Sequence, residues 1–148
     1  MSPAERSFFG VLTSVVGGEY SLFCKVRVAD VLKPINTTSN KEWYKYFNPI
    51  AAKHFDFVLC DVKTLKVIAV IELDDKSHNT KRAKLSDNVK NKAASEANLQ
   101  LLRFSAKKQY SIEALRIQLA DLLSTTALSE RTTEIGYTSP ENEVHNRP

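Results

Sequence analysis

His54-Phe55-Asp56-Phe57-Val58-Leu59-Cys60-Asp61, a short break, and then Val67-Ile68-Ala69-Val70-Ile71-Glu72-Leu73-Asp74-Asp75-Lys76-Ser77-His78: the reading of this stretch decides the fold. Both runs are strand-sized and mostly apolar, the pattern of central strands covered on both faces. The segment Asp61-Val62-Lys63-Thr64-Leu65 and Lys66 leave room only for a tight turn, so the runs form an antiparallel hairpin. Residues equally distant from the turn centre then face each other. With that centre near Thr64, Asp56 and Glu72 are directly opposed, their Cβ atoms roughly 4.5–5.5 Å apart. Asp74, one alternate position further on, shares that face.

Opposed like charges destabilise a sheet, and burial adds a desolvation cost for each ion. Three remedies exist. One carboxyl takes up a proton, a base pairs with the acids, or a cation binds between them. Lys25 and Arg27, which alternate with Cys24, Val26 and Val28 on an earlier strand, are candidate bases. A hard divalent ion such as Mg²⁺ or Mn²⁺ suits the oxygen donors. On the residues alone, a metal site and an ion-pair network stand side by side.

Working outward, Ser2-Pro3-Ala4-Glu5 opens a helix: Ser2 as N-cap, Pro3 in the first turn, Glu5 completing a capping box. Gly17-Gly18 stops it. Residues 20–32 are rich in strand formers. A short helix is expected from about Asn40, interrupted near Pro49. Beyond the hairpin come a loop at 76–79, a long helix over 80–98, a buried strand at 101–104 and a helix from Ser111 to about Ser124. The last carries the stripe Ile112, Leu115, Leu119, Leu122, Leu123. The order α-β-(α)-β-β-α-β-α fits an α/β fold with a mixed sheet flanked by helices. Residues 1–124 read as one domain and 125–148 as a polar, disordered tail.

The 148 residues suit one domain, and 43% hydrophobic and 26% charged content are ordinary for a globular chain. No apolar run reaches the roughly 20 residues that span a bilayer. The first residues lack a basic segment followed by an apolar one. The expectation is a cytoplasmic protein with no membrane partner. Cys24 and Cys60 lie in apolar stretches and read as buried free thiols in a reducing cytosol rather than a zinc site. The net charge of +4 is uneven, the end of the chain being acidic and the body basic, which is compatible with a polyanionic partner. Lys76, Lys81, Arg82, Lys84, Lys90 and Lys92 follow the acidic cluster, and Arg103, Lys107 and Lys108 follow the later strand. Lys76, Lys81, Arg82, Lys84 and Arg103 are the candidate phosphate contacts, against the plainer reading of a solvated helix face.

Phe55-Asp56-Phe57-Val58, Ile71-Glu72-Leu73-Asp74 and the following His78 resemble the core of the PD-(D/E)XK nuclease superfamily, the restriction-endonuclease-like fold. Together with Ser2-Pro3-Ala4-Glu5-Arg6, Lys25-Val26-Arg27, Lys53-His54 and Leu101-Leu102-Arg103-Phe104, they are more closely similar to a bacterial family called domain of unknown function 2726. Beyond it stand the very-short-patch-repair-like endonucleases. The resemblance spans roughly Ser2 to Leu123. It implies a Mg²⁺- or Mn²⁺-dependent endonuclease acting on nucleic acid, expected to be DNA, in repair or restriction. Asp56 and Glu72 would be metal ligands, with the Leu73 carbonyl and Asp74 as further ones. Glu5 and Lys25 would be accessory.

One departure matters: Asp74 occupies the place of the motif's lysine. The resemblance then implies proton transfer by His78, or by a lysine moved to Lys76, Lys25 or Lys53. His54, beside Asp56, is a weaker candidate. The same departure supports an inactive nucleic-acid-binding module, and pairing of the acids with Lys25 and Arg27 would support a protein-interaction domain. A homodimer cutting two strands is compatible with either nucleic-acid reading.

Overall fold

The computed structural model describes residues 1–74 and 81–134, the side chains of 82, 83 and 125–134 excepted. Its elements are α1 (Pro3–Val16), β1 (Tyr20–Arg27), α2 (Val28–Val31), α3 (Asn40–Ala51), β2 (His54–Asp61), β3 (Val67–Asp74), α4 (Lys81–Glu96), β4 (Gln100–Ser105) and α5 (Ile112–Glu134). The four strands lie in the order β1-β2-β3-β4. β1, β2 and β3 form an antiparallel meander, and β4 runs parallel to β3 after the α4 crossover. The fold is α/β with a mixed sheet flanked by helices.

Alternation along β2 and β3 sorts the core into two layers. On one face Phe57, Leu59, Ala69, Ile71, Leu102 and Phe104 pack against Phe8, Leu12 and Val16 of α1 and Leu115 and Leu119 of α5. On the other, Val58, Cys60 and Val70 meet Val28 of α2, Ile50 of α3 and the partly buried Val89 and Ala93 of α4. The hairpin is therefore apolar on both sides, as its composition required.

Several boundaries differ from the sequence expectation. The strand expected over 20–32 stops at Arg27, where the Val28 amide donates to the Lys53 carbonyl at 2.9 Å and α2 begins. α3 continues through Pro49 to Ala51 rather than breaking there. α5 continues past Ser124 to Glu134, so the segment expected to be a disordered tail begins as helix. No glycine or proline interrupts it, and extending an existing helix needs no new nucleus. Of the two thiols expected to be buried, Cys60 is, whereas Cys24 is exposed on the edge strand β1. Residues 135–148 and the loop expected at 76–79 lie outside the described residues.

Phe8 anchors the first layer. It is fully buried, with ring centroids 5.6 Å from Phe57, 5.4 Å from Phe104 and 5.0 Å from Tyr110. Phe8→Ala is expected to destabilise the fold by about 3–5 kcal/mol, whereas Ile117→Ala, on the exposed side of α5, is expected to change it by less than about 1 kcal/mol. Urea unfolding of both variants checks this.

Candidate functional site

The site grows out of sheet register. The β2–β3 ladder ends at the pair Phe57↔Ile71, and continuing its register by one step brings Asp56 level with Glu72, the juxtaposition the sequence reading expects. That agreement has a structural cause. The turn itself is not centred on Thr64, because a bulge between Leu59 and Cys60 shifts the register by one before the ladder reaches the site. Asp61 Oδ1 fixes the turn by accepting from the amides of Lys63 and Thr64.

On the outer strands the register continues. Lys25 lies between the pairs Cys24↔Phe57 and Val26↔Phe55, level with Asp56, and Glu72 pairs directly with Arg103. By register, Lys25, Asp56, Glu72 and Arg103 stand level across the four strands, with acids on the central strands and cations on the edge strands, Glu72 and Arg103 being a direct pair. Adjacent members are set by the roughly 4.8 Å strand spacing.

Each acid has a distinct hold. Lys25 Nζ bridges two carboxylates, Asp56 Oδ1 at 2.7 Å and Glu5 Oε1 at 2.9 Å. Burial alone would lower the Lys25 pKa, but its hydrogen bonds and charge attraction to Asp56 and Glu5 raise it above the ordinary value. Its backbone sits at φ 55°, in the left-handed region, a conformation costing a non-glycine residue roughly 1–2 kcal/mol. The other oxygen of Asp56 accepts the Leu73 amide at 3.0 Å, filling the place where the β2–β3 ladder ends.

Glu5 performs two tasks at once. Its Oε2 accepts the Ser2 amide at 2.8 Å, completing the capping box, while Oε1 faces Lys25. Capping and an accessory position at the site, weighed as alternatives in the sequence, coexist in one carboxylate.

Glu72 is the buried member, 3% exposed. Its Oε2 accepts from the ammonium of Lys90 on α4. Its Oε1 is buried and has no hydrogen-bond partner among the described residues. Burial, and then the neighbouring Asp56 charge, push its pKa up to about 7, against the pull of Lys90 and Arg103. Asp74 is turned toward Arg103, whose guanidinium also donates to Asn91 Oδ1 at 2.9 Å and lies 3.8 Å from Asp87 Oδ1. Arg103, expected to contact phosphate, is therefore engaged with the protein. Lys81 and Lys84 lie exposed at the start of α4, and Arg82 is on that helix. His78 and Lys76 lie outside the described residues, as does the side chain of Arg82. Among the described residues, no three His, Cys, Asp or Glu side chains gather into a metal-holding group.

Lys90 is the residue that sequence reasoning missed, having counted it among charges on a solvated face. It is one of two buried charged side chains among the described residues; the other is its partner Glu72. A signal was present, since Lys90 lies one turn before Ala94 on the stripe of α4 that packs against the sheet.

These features sit within a recognised family. The chain belongs to the family described as Protein of unknown function (DUF2726). The family model matches residues 1–123, which include every element from α1 to β4 and α5 as far as Leu123. No curated protein and no solved structure matches the chain. Among the described residues, no helix is long and apolar enough to cross a membrane.

The raised Glu72 pKa carries a sign. Below pH 4.5 both folded and unfolded states hold the proton. Between 4.5 and about 7 only the folded state keeps it, so stability falls as pH rises, and above about 7 the loss is complete. At about 1.4 kcal/mol per pH unit, the loss is on the order of 3 kcal/mol. Thermal melting without added metal is expected to show this decline in the wild type and a flatter profile in Glu72→Gln. Lys90→Ala, which strands the buried acid, is expected to lower stability at pH 8 by about 3–5 kcal/mol, measured in the same melts.

Proposed function

We propose that this chain is a divalent-metal-dependent nuclease that hydrolyses DNA phosphodiester bonds, with a restriction-endonuclease-like site related to that of the very-short-patch-repair-like enzymes. One observation carries the reading: two opposed carboxylates at the centre of the sheet, one of them buried with an oxygen that no described group satisfies. An orphaned buried carboxylate oxygen costs free energy unless something positive or a proton reaches it. The donor set fits Mg²⁺ or Mn²⁺, being carboxylate oxygen and, on the motif, the Leu73 carbonyl. Asp56 and Glu72 would hold the ion.

When bound, such an ion polarises a phosphoryl oxygen and lowers the pKa of a water on it. The chain's own residues supply the rest. Asp56 is oriented by the Leu73 amide, which fixes one oxygen and leaves the other on Lys25. Lys25 is partly exposed on the edge strand, so a bound ion would take its place on Asp56. Lys90 brings a buried positive charge to Glu72 from α4, offsetting charge as the motif's lysine would have done from position 74. Asp74, the further ligand that the resemblance offers, is held by Arg103. His78 follows the strand and is the proposed proton acceptor. The exposed Lys81 and Lys84, at the start of α4, are the proposed phosphate contacts. The site would work in the cytoplasm.

A second reading draws on the same contacts. Lys25 already pairs with Asp56 and Glu5, Lys90 with Glu72 and Asp87, and Arg103 with Asp74 and Asp87, so the acids also belong to an ion-pair network, as an inactive nucleic-acid-binding module would keep.

Two measurements separate these. Millimolar Mn²⁺ is expected to raise the melting temperature of the wild type at pH 8, and Asp56→Asn is expected to abolish that rise. The wild type with Mn²⁺ is expected to nick supercoiled plasmid or cut single strands, and Asp56→Asn to lose at least about a hundredfold of that rate, the size of one lost essential group. Metal binding without cleavage would leave only the inactive module, and no metal-dependent shift would remove the metal centre.

A further inference from the structure

The far end of β4 opens into a cavity of about 240 Å³, where the strand passes through the loop 106–111 into α5. Its walls carry two cations, Arg103 and Lys107, and no aspartate or glutamate. The other polar walls are three hydroxyl side chains and two amide side chains. Glu113, the acid in the first turn of α5, pairs with Arg116 at 3.4 Å and does not line the cavity.

Two of the hydroxyls have an acceptor position filled by the chain itself. Tyr110 Oη accepts the Lys107 amide at 2.8 Å, and Ser111 Oγ accepts the Ala114 amide at 3.3 Å. A hydroxyl that accepts still has its own proton to give, and neither proton is donated to an acceptor among the described residues. Lys107 is exposed and makes no ion pair with a described residue, whereas Arg103 is engaged with Asp74 and Asn91. The loop is fixed at both ends. The Ala106 amide donates to the Asp74 carbonyl at 2.8 Å, and the Tyr110 ring stands edge-on to the buried Phe8 with centroids 5.0 Å apart. The donors are therefore set in place before a ligand arrives, which lowers the ordering cost of binding.

We propose that this cavity is a phosphate subsite that holds one phosphate group of a nucleic-acid strand beside the acidic row. Walls of hydrogen-bond donors without a competing carboxylate select an anion. An ammonium and two hydroxyl protons suit a group with several acceptor oxygens. Arg103 supplies the connection to the site: it lines the cavity, pairs with Glu72 across the ladder and binds Asp74. A phosphate held there is one side chain away from the acids. It also lies at the carboxyl ends of the parallel strands β3 and β4, the end at which α/β sheets receive ligands. The inference rests on the nucleic-acid reading for the identity of its ligand and deepens it by naming a phosphate contact away from the proposed metal. The subsite itself does not require cleavage.

The full chain is titrated into a short oligothymidylate carrying a 3′ fluorophore, in EDTA to prevent metal-dependent cleavage, and anisotropy is followed at several salt concentrations. Lys107→Ala is expected to weaken binding about tenfold and to lower the salt slope by about one. Tyr110→Phe keeps the ring against Phe8 and loses only the hydroxyl; it is expected to weaken binding about tenfold as well. Lys63→Ala, the same charge loss in the exposed β2–β3 turn at the other end of the hairpin, is expected to bind as the wild type does. A 5′-phosphorylated strand that binds more tightly than its 5′-hydroxyl twin, with the gain lost in Lys107→Ala, assigns the subsite to a chain end. Equal affinity of the two strands, still lowered by Lys107→Ala, assigns it to a backbone phosphate. Equal weakening by Lys107→Ala and Lys63→Ala, full affinity in Lys107→Ala, or equally strong competition by a polyglutamate peptide would overturn the inference. Lys107-dependent binding without any metal-dependent cleavage leaves the subsite standing and removes the nuclease reading. Cleavage indifferent to Lys107 and Tyr110 does the reverse.

Discussion

Two carboxylates forced into register at the middle of a sheet are the constraint around which the rest is arranged. Asp56 and Glu72 belong to the central strands, where neighbours on both sides and helices on both faces exclude water. Glu72 is buried and Asp56 only partly exposed, so relief comes mainly from the chain. It arrives as a transverse row with Lys25 on one edge strand and Arg103 on the other, and as a third cation, Lys90, from a helix. Such pairs do not stabilise a fold cheaply, because desolvation consumes much of the Coulomb attraction. Their persistence at one end of the hairpin, with a buried oxygen of Glu72 still unsatisfied, points to a site rather than to a device for stability.

The same row ties the layers together. Glu5 reaches it from α1, on the face packed by Phe8 and Leu12, while Lys90 reaches it from α4, on the opposite face. Glu5 also holds the first turn of its helix, so a change in the charge on Lys25 or Asp56 is felt at the N-terminus of α1. The strained backbone of Lys25 fits this picture. A left-handed residue on an edge strand is held there by two ion pairs rather than by its own preference.

Much of this was legible in the sequence, for identifiable reasons. Continuous apolar runs broken only by Asp56 and Glu72 announced central strands and an opposed pair, and Ser2 and Glu5 announced the first helix. The turn was less legible: its true centre and the bulge that compensates for it depend on how Asp61 folds back on its own backbone, which no periodicity records. The early end of β1 depends on a bond from Val28 to Lys53, distant in sequence. Lys90 escaped notice because a lysine in a run of lysines reads as solvated, and only the crossover of α4 over β3 turns it inward. Arg103 read as a free cation until its strand partner Glu72 and neighbour Asp74 were in place. Family membership covers the same residues but describes no activity, so the chemistry rests on the site itself.

The most direct measurement of the central claim is anomalous diffraction from crystals grown with Mn²⁺. The account predicts a single strong peak about 2.1 Å from one oxygen each of Asp56 and Glu72, with the Lys25 ammonium moved off Asp56. A map with no peak there, and Lys25 and Lys90 still clamped on the two acids, would contradict it.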